Sequence, residues 1–238
     1  MRILAIGGHI CDMEFSCGAV LAKHARLGDE VYFLSTTVGE KGWPWPDKEA
    51  VTAYKQQKIE EGIRCAQKLG AVESRHLDYG DTELPLDREV QLKLCDEIRR
   101  IQPDIVITHW RKATHNDHYH TALNVEKAVS LAGLPAHFSQ YPVHGVKRVF
   151  YTDNWEDQVD FTPNVYIPFD EEDMVRWQDA ISEFAVGRGE VSPFRFCEFY
   201  RHYAHTKGML SGFPYAQAFY TEIPKIKNDK LFTTIKPQ

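Results

Sequence analysis

The sequence predicts an α/β fold built on a mostly parallel sheet, and three observations carry that prediction. Short apolar runs alternate with amphipathic stretches over the first two-thirds of the chain, the rhythm of strand–helix–strand units with right-handed crossovers. The opening run, residues 2–8 (RILAIGG), is apolar after its arginine and ends on two glycines, as a central strand buried on both faces should. The length, 238 residues, suffices for one sizeable core and lies at the upper end for a single domain.

The elements follow in order. After the first strand, residues 13–27 place Phe15, Val20, Leu21, Ala25 and Leu27 at helical spacing, with Gly28 as the stop. Residues 30–37 (EVYFLSTT) form a second strand, 38–48 (VGEKGWPWPDK) a loop, and 49–69 a charged helix closed by Gly70. The pattern repeats with a short strand over 75–79 and a helix over 87–101 that Asp87 can cap. Pro103 ends that helix before a strand over 105–109 (IVITH), a loop over 110–114 and a helix over 116–131. Past Pro135 the rhythm loosens into strands over 148–152 and 165–169, a helix over 171–186 and an aromatic-rich helix over 192–210. No composition break, repeat or low-complexity tract divides the chain. One domain over 1–238 is therefore expected, with a core over 1–133, further strands and helices over 134–221 and a tail over 222–238.

Composition narrows the function classes. A formal charge of −6 argues against a nucleic-acid partner, which favours a basic face. The five cysteines are scattered and form no CxxC pair, so neither a zinc knot nor a disulfide framework is indicated. The first apolar run is too short for a signal peptide, and no stretch approaches the roughly 18 apolar residues of a membrane span. A reducing cytoplasm is the expected compartment.

In open parallel sheets, ligands bind beyond the carboxyl ends of the strands where strand order reverses, flanked here by the first and fourth strands. The first strand runs into His9, Cys11, Asp12 and Glu14; the fourth runs into His109, His115, Asp117, His118 and His120. Imidazoles and carboxylates thus converge on one edge. Two imidazoles plus one carboxylate with open positions suit catalytic zinc, and equally non-haem Fe2+. The helix N-termini behind both loops favour an anionic group in the same crevice. Taken singly, Asp12 or Asp117 reads as a helix cap; four histidines within twelve residues, opposite a His/Asp pair, read as a site. His24, His76, His137, His144, His202 and His205 have no such partners in sequence. The G-x-G-x-x-G, Walker and G-x-S-x-G patterns are all absent, which lowers dinucleotide, nucleotide-hydrolase and serine-hydrolase readings.

These residues resemble the LmbE/PIG-L family of metal-dependent N-deacetylases. His9-Ile10-Cys11-Asp12-Met13-Glu14 falls in register with the family's His-Pro-Asp-Asp-x-Glu segment, and Gly39-Glu40-Lys41-Gly42 with its G-E-x-G loop. Leu77-Asp78-Tyr79-Gly80-Asp81 resembles its L-D-x-x-D segment, and His115-Asn116-Asp117-His118 its H-P-D-H signature. Pro214-Tyr215-Ala216-Gln217-Ala218-Phe219 is similar to its Y-A-E-A-F close, and the likeness is weakest between 133 and 210. The resemblance implies a Rossmann-like three-layer α/β/α fold with a less regular C-terminal third. It implies a Zn2+ ion (or another divalent metal such as Fe2+) on His9, Asp12 and His118. It gives His115 as electrostatic stabiliser or acid, Asp117 as the group that orients a neighbouring imidazole, and Asp81 as a sugar-hydroxyl contact.

Three positions depart from the family pattern. Cys11 stands where the first Asp of the pair acts as general base, Lys58 where many members carry Arg, and Ala113 where some place a Tyr. Cys11 is accordingly a metal ligand, a base substitute or an inert small residue. Glu14, Glu40 and Asp117 are the carboxylates that could serve as base. Lys58 and Asp81 join Trp43 as candidate substrate contacts, Trp43 or Trp45 stacking on a sugar face. The expected activity is removal of an N-acyl group from an amino-sugar-type small molecule; the competing reading is a repurposed metal- or sugar-binding protein on the same scaffold. The aromatic residues between Phe194 and Tyr220 are assigned to packing and to subunit contacts in a homo-oligomer.

Overall fold

The computed structural model describes residues 1–222, so the expected tail lies outside the described residues except for Glu222. At its centre β1 (Arg2–Gly7) pairs in parallel with β2 (Glu30–Thr37) on one side and β4 (Ile105–His109) on the other. Successive side chains of a strand point to opposite faces. Ile3 and Ala5 therefore enter one core, whereas Leu4 and Ile6 enter another. A strand buried this way must be apolar throughout, which is why residues 2–8 show no alternation.

Beyond β2 lies β3 (Glu73–Tyr79), and beyond β4 lies β5 (Arg148–Thr152), all parallel, giving the order β3-β2-β1-β4-β5. Strand order reverses between β1 and β4, as the sequence predicts. The first core is shared by α1 (Asp12–Arg26), α2 (Lys48–Leu69), α5 (Glu171–Ile181) and α6 (Phe196–Ser211). On the opposite face α3 (Arg88–Ile101) and α4 (Asn116–Ala132) cover the second core. The architecture is the Rossmann-like α/β/α sandwich. Among the described residues no helix is long and apolar enough to cross a membrane.

The C-terminal third departs from expectation at three places. A strand not predicted from alternation, β7 (Tyr215–Tyr220), lies antiparallel between β5 and β6 (Val165–Phe169). Ala216 through Phe219 are all buried, so the period-2 signal of a half-exposed strand is missing. Helix α5 ends at Ile181 and not at residue 186, because the Arg188 guanidinium donates to the carbonyls of Ser182 (2.9 Å) and Glu183 (2.6 Å) and turns the chain there. Helix α6 starts at Phe196 and not at residue 192, since Pro193 disfavours helical geometry at Ser192. Two contacts clamp this third onto α1. The buried Trp177 indole donates to the Glu14 carbonyl at 2.7 Å, and Arg26 forks onto both oxygens of Asp173 at 3.0 and 2.9 Å.

Candidate functional site

The carboxyl end of β1 delivers His9, and Asp12 opens α1 three residues later. Asp12 Oδ2 accepts the His9 backbone N–H at 2.7 Å, which fixes the turn between them. The carboxyl end of β4 delivers His109, after which His115 caps α4 and places His118 in its first turn. Three donors then meet. His9 Nδ1 and His118 Nε2 are 3.1 Å apart, and Asp12 Oδ2 lies 3.3 Å from the first and 3.2 Å from the second. Tetrahedral zinc with ligands at about 2.0–2.1 Å requires donor separations of about 3.3–3.4 Å. The donor triangle fits a divalent ion.

The far nitrogen of each imidazole is held by a buried carboxylate. His118 Nδ1 lies 2.7 Å from Asp157, which also accepts from Thr114 N (2.8 Å) and Asn154 Nδ2 (2.8 Å). His9 Nε2 lies 3.2 Å from Asp81 and 3.3 Å from Asp117. Asp117 accepts backbone N–H groups of Thr82 (2.7 Å) and Leu84 (3.3 Å); Asp81 accepts that of Lys41 (2.6 Å). Such partners fix the tautomer and raise ligand basicity, leaving the inner nitrogens to point at the gap.

The electrostatics describe a cage that wants positive charge. Burial works against a charged His118, but the Asp12 carboxylate lifts its pKa to about 9. His9 is likewise held well above the ordinary imidazole range, burial being outweighed by Asp12, Asp117 and Asp81. Asp12 sits well below the usual carboxylate range, since His118 and His9 overcome its burial. Protons on the two imidazoles thus occupy the ground a cation would take. His109 behaves differently: burial and the neighbouring His118 charge push it down to about 4. It stacks on His118 with ring centroids 4.0 Å apart, and its Nε2 accepts from Gly8 N at 2.8 Å.

The donor triangle opens into a cavity of about 400 Å³ walled by Phe15, Trp43, Tyr54, Trp155, Phe196 and Tyr200, with Cys11, Lys58, Asp81, His115 and Glu156 among its polar groups. Cys11 is the N-cap of α1 at φ 93, and its N–H donates to Glu14 at 3.1 Å. Burial pushes the Cys11 thiol far above the usual range, so it is neutral at physiological pH. Among the described residues, none of the clusters of potential metal donors includes it. His115 Nδ1 accepts the Asp117 N–H at 3.2 Å, which leaves the ring proton on Nε2.

Nine of the residues singled out in the sequence (His9, Cys11, Asp12, Trp43, Lys58, Asp81, His115, Asp117 and His118) are brought to this cavity or its back wall, whereas Glu14, Glu40 and Trp45 do not line it. Asp117 touches an imidazole, His9. Asp81 also braces His9. Trp45 turns away, donating to the Glu40 carbonyl at 2.8 Å and packing on Tyr54. His120 stands apart, its Nδ1 on the Leu84 carbonyl at 2.6 Å. Phe196 and Tyr200, assigned from sequence to packing, also wall the cavity. Sequence reasoning missed Asp157 and Glu156, which follow β5 in the turn where Asn154 Oδ1 accepts the N–H of each, at 3.0 and 2.8 Å. The signal available was the position of this acidic turn at the exit of a third parallel strand.

The chain is similar in sequence and fold to known proteins. The family model PIG-L, described as GlcNAc-PI de-N-acetylase, matches residues 4–129. The chain is 29% identical over 220 residues to a diacetylchitobiose deacetylase of Thermococcus kodakarensis, covering 83% of this chain and 81% of the relative. A solved 4-carboxy-2-hydroxymuconate hydratase of Pseudomonas putida superposes with a TM-score of 0.83 at 21% identity, covering 96% of this chain and 98% of that one. The N,N'-diacetylchitobiose deacetylase of Pyrococcus horikoshii gives 0.77 at 23%, covering 93% and 83%.

Proposed function

Because the chain belongs to the PIG-L family of GlcNAc-PI de-N-acetylases, we propose that it is a zinc-dependent hydrolase removing an N-acyl group, acetyl foremost, from an amino-sugar conjugate or similar small molecule. The observation that carries this reading is the triangle of His9 Nδ1, Asp12 Oδ2 and His118 Nε2, with sides of 3.1–3.3 Å, facing an aromatic-walled cavity. These three residues would hold the ion, which when bound supplies a Lewis acid for the acyl carbonyl and an activated water. Asp157, Asp81 and Asp117 keep the two imidazoles aimed. His115, kept neutral by burial, presents its Nε2–H on the cavity wall and stabilises negative charge growing on the acyl oxygen. Trp43 and Asp81 contact the sugar. The five free cysteines suit a reducing cytoplasm.

One observation favours a second reading. The position of the family's base holds a neutral, buried thiol, which cannot take a proton from water. The scaffold would then serve another reaction, such as the hydration its structural relative is named for, or bind without hydrolysing. Cys11→Asp separates the two. Asp tolerates the positive φ at this N-cap better than Cys does. With metal content confirmed, Cys11→Asp should raise amine release from N-acetylglucosamine conjugates by about 10²-fold or more, the worth of a positioned base. Amine release from neither wild type nor variant across a broad panel would reject deacetylation.

A further inference from the structure

Helix α2 turns Tyr54, Lys58, Glu61, Cys65 and Leu69 to the interior, the spacing of a core-facing stripe. Lys58 is thus a charged residue at a core position, only 5% exposed. Buried ammonium groups are ordinarily paired, because an uncompensated charge is costly to desolvate. Lys58 is not paired: among the described residues its Nζ donates to the Gly39 carbonyl at 2.8 Å, and no carboxylate lies within ion-pair distance. Glu61, one turn along, accepts from Gln57 at 2.8 Å and faces Arg188 at 3.6 Å. The second cavity lysine, Lys41, is engaged by the Asp81 carbonyl (2.7 Å) and Glu83 (2.6 Å). Burial works against the Lys58 charge, and the carboxylates of Asp12 and Asp81 favour it from beyond ion-pair distance.

The ammonium packs tightly beneath the strand exit. Gly39 adopts φ +77, and a Cβ there would stand 2.7 Å from both Lys58 Nζ and His9 Cβ. Only glycine lets this strand exit pass so close to the cation and to His9. Lys58 and His9 line the same cavity, so whatever meets the ammonium is held beside the donor triangle.

We infer that Lys58 is an anchor for a carboxylate of the ligand, which supplies the direct ion-pair partner that no described residue provides. A monoanion fits better than a phosphate dianion. Lys58 offers a single point charge; of the other charged walls, Lys41 is already paired with Glu83, and Asp12, Asp81 and Glu156 are acidic. The aromatic wall receives the remainder of the molecule. Resting on the hydrolase reading, the substrate is then an N-acyl compound that carries a free carboxylate.

The test needs neither metal nor turnover. Metal-free full-length protein is titrated calorimetrically with phenylacetate, its neutral isostere phenylacetamide, and inorganic phosphate. Phenylacetate should bind about tenfold or more tighter than phenylacetamide, the worth of a hydrogen bond to a charged group. Lys58→Met should abolish that preference, and Lys58→Arg should restore part of it. A cooperative thermal melt and the far-UV circular dichroism of wild type confirm that Lys58→Met is folded. Equal affinity for acid and amide, an undiminished preference in Lys58→Met, or no phenylacetate binding at millimolar concentration overturns the assignment. Tighter binding of phosphate overturns the choice of carboxylate. Failure of amide hydrolysis leaves these outcomes untouched, and failure of the probes leaves hydrolysis untouched.

Discussion

Asp157→Ala removes the carboxylate behind His118 without touching any residue of the donor triangle. In the wild-type protein that carboxylate is 1% exposed, lies 2.7 Å from His118 Nδ1, and is itself held by Thr114 N and Asn154 Nδ2, each at 2.8 Å. Outer partners of metal-bound histidines are worth about 10–100-fold in metal affinity, or about 1.4–2.8 kcal/mol. Alanine should fall at the upper end, because the imidazole loses both its charge partner and its fixed tautomer. Asparagine, which can still accept from Nδ1–H, should fall at the lower end. The alanine variant also leaves the Thr114 N–H and the Asn154 amide without an acceptor, at about 1–3 kcal/mol of stability. Zinc affinity is read by competition against a chromophoric chelator, with thermal unfolding of the metal-free forms as the folding control. Zinc binding by a folded Asp157→Ala within twofold of wild type would refute the role given to this carboxylate.

Two further outcomes follow from the geometry. Gly18→Ala would set a methyl 2.9 Å from Cδ1 and Nε1 of Trp177, an indole pinned by its bond to the Glu14 carbonyl. Overpacking of about 1–3 kcal/mol should exceed the roughly 1 kcal/mol gained in helix propensity, and a raised Tm would contradict it. The pH response of the metal-free protein has a defined sign. His9 and His118 titrate above the unfolded imidazole value of about 6.5, so their stabilisation is complete below that pH and is lost as pH climbs through the His118 value of about 9. The Tm of the metal-free protein should fall between pH 6.5 and 9, while zinc affinity rises as those protons leave more readily. A Tm that climbs across the window counts against protonated imidazoles in the empty cage.

Much of the site was legible in the sequence because its parts sit at strand exits. The triangle needs only that β1 and β4 be adjacent, as they are where the order of this doubly wound sheet reverses. Asp157 was not legible: its partner His118 lies 39 residues away, and nothing periodic marks the turn after β5. His109 reads as the last residue of a strand, and only the stacked geometry reveals its contact with His118. The antiparallel insertion of β7 escaped because a strand buried on both faces carries no alternation. Lys58 was visible as a departure from the family's Arg, but its lack of a direct ion-pair partner is a property of the packed cavity. Cys11 shows the limit of motif reading from the other side: the register placed it, and burial showed that it is a neutral thiol.

The central claim is that His9, Asp12 and His118 form one metal centre. Crystals of zinc-loaded protein, measured on either side of the zinc absorption edge, test it most directly. The account predicts a single anomalous peak within ligand distance of His9 Nδ1, Asp12 Oδ2 and His118 Nε2, and its loss in His118→Ala. No peak there, or a peak bound through the Cys11 sulfur without this triangle, would contradict it.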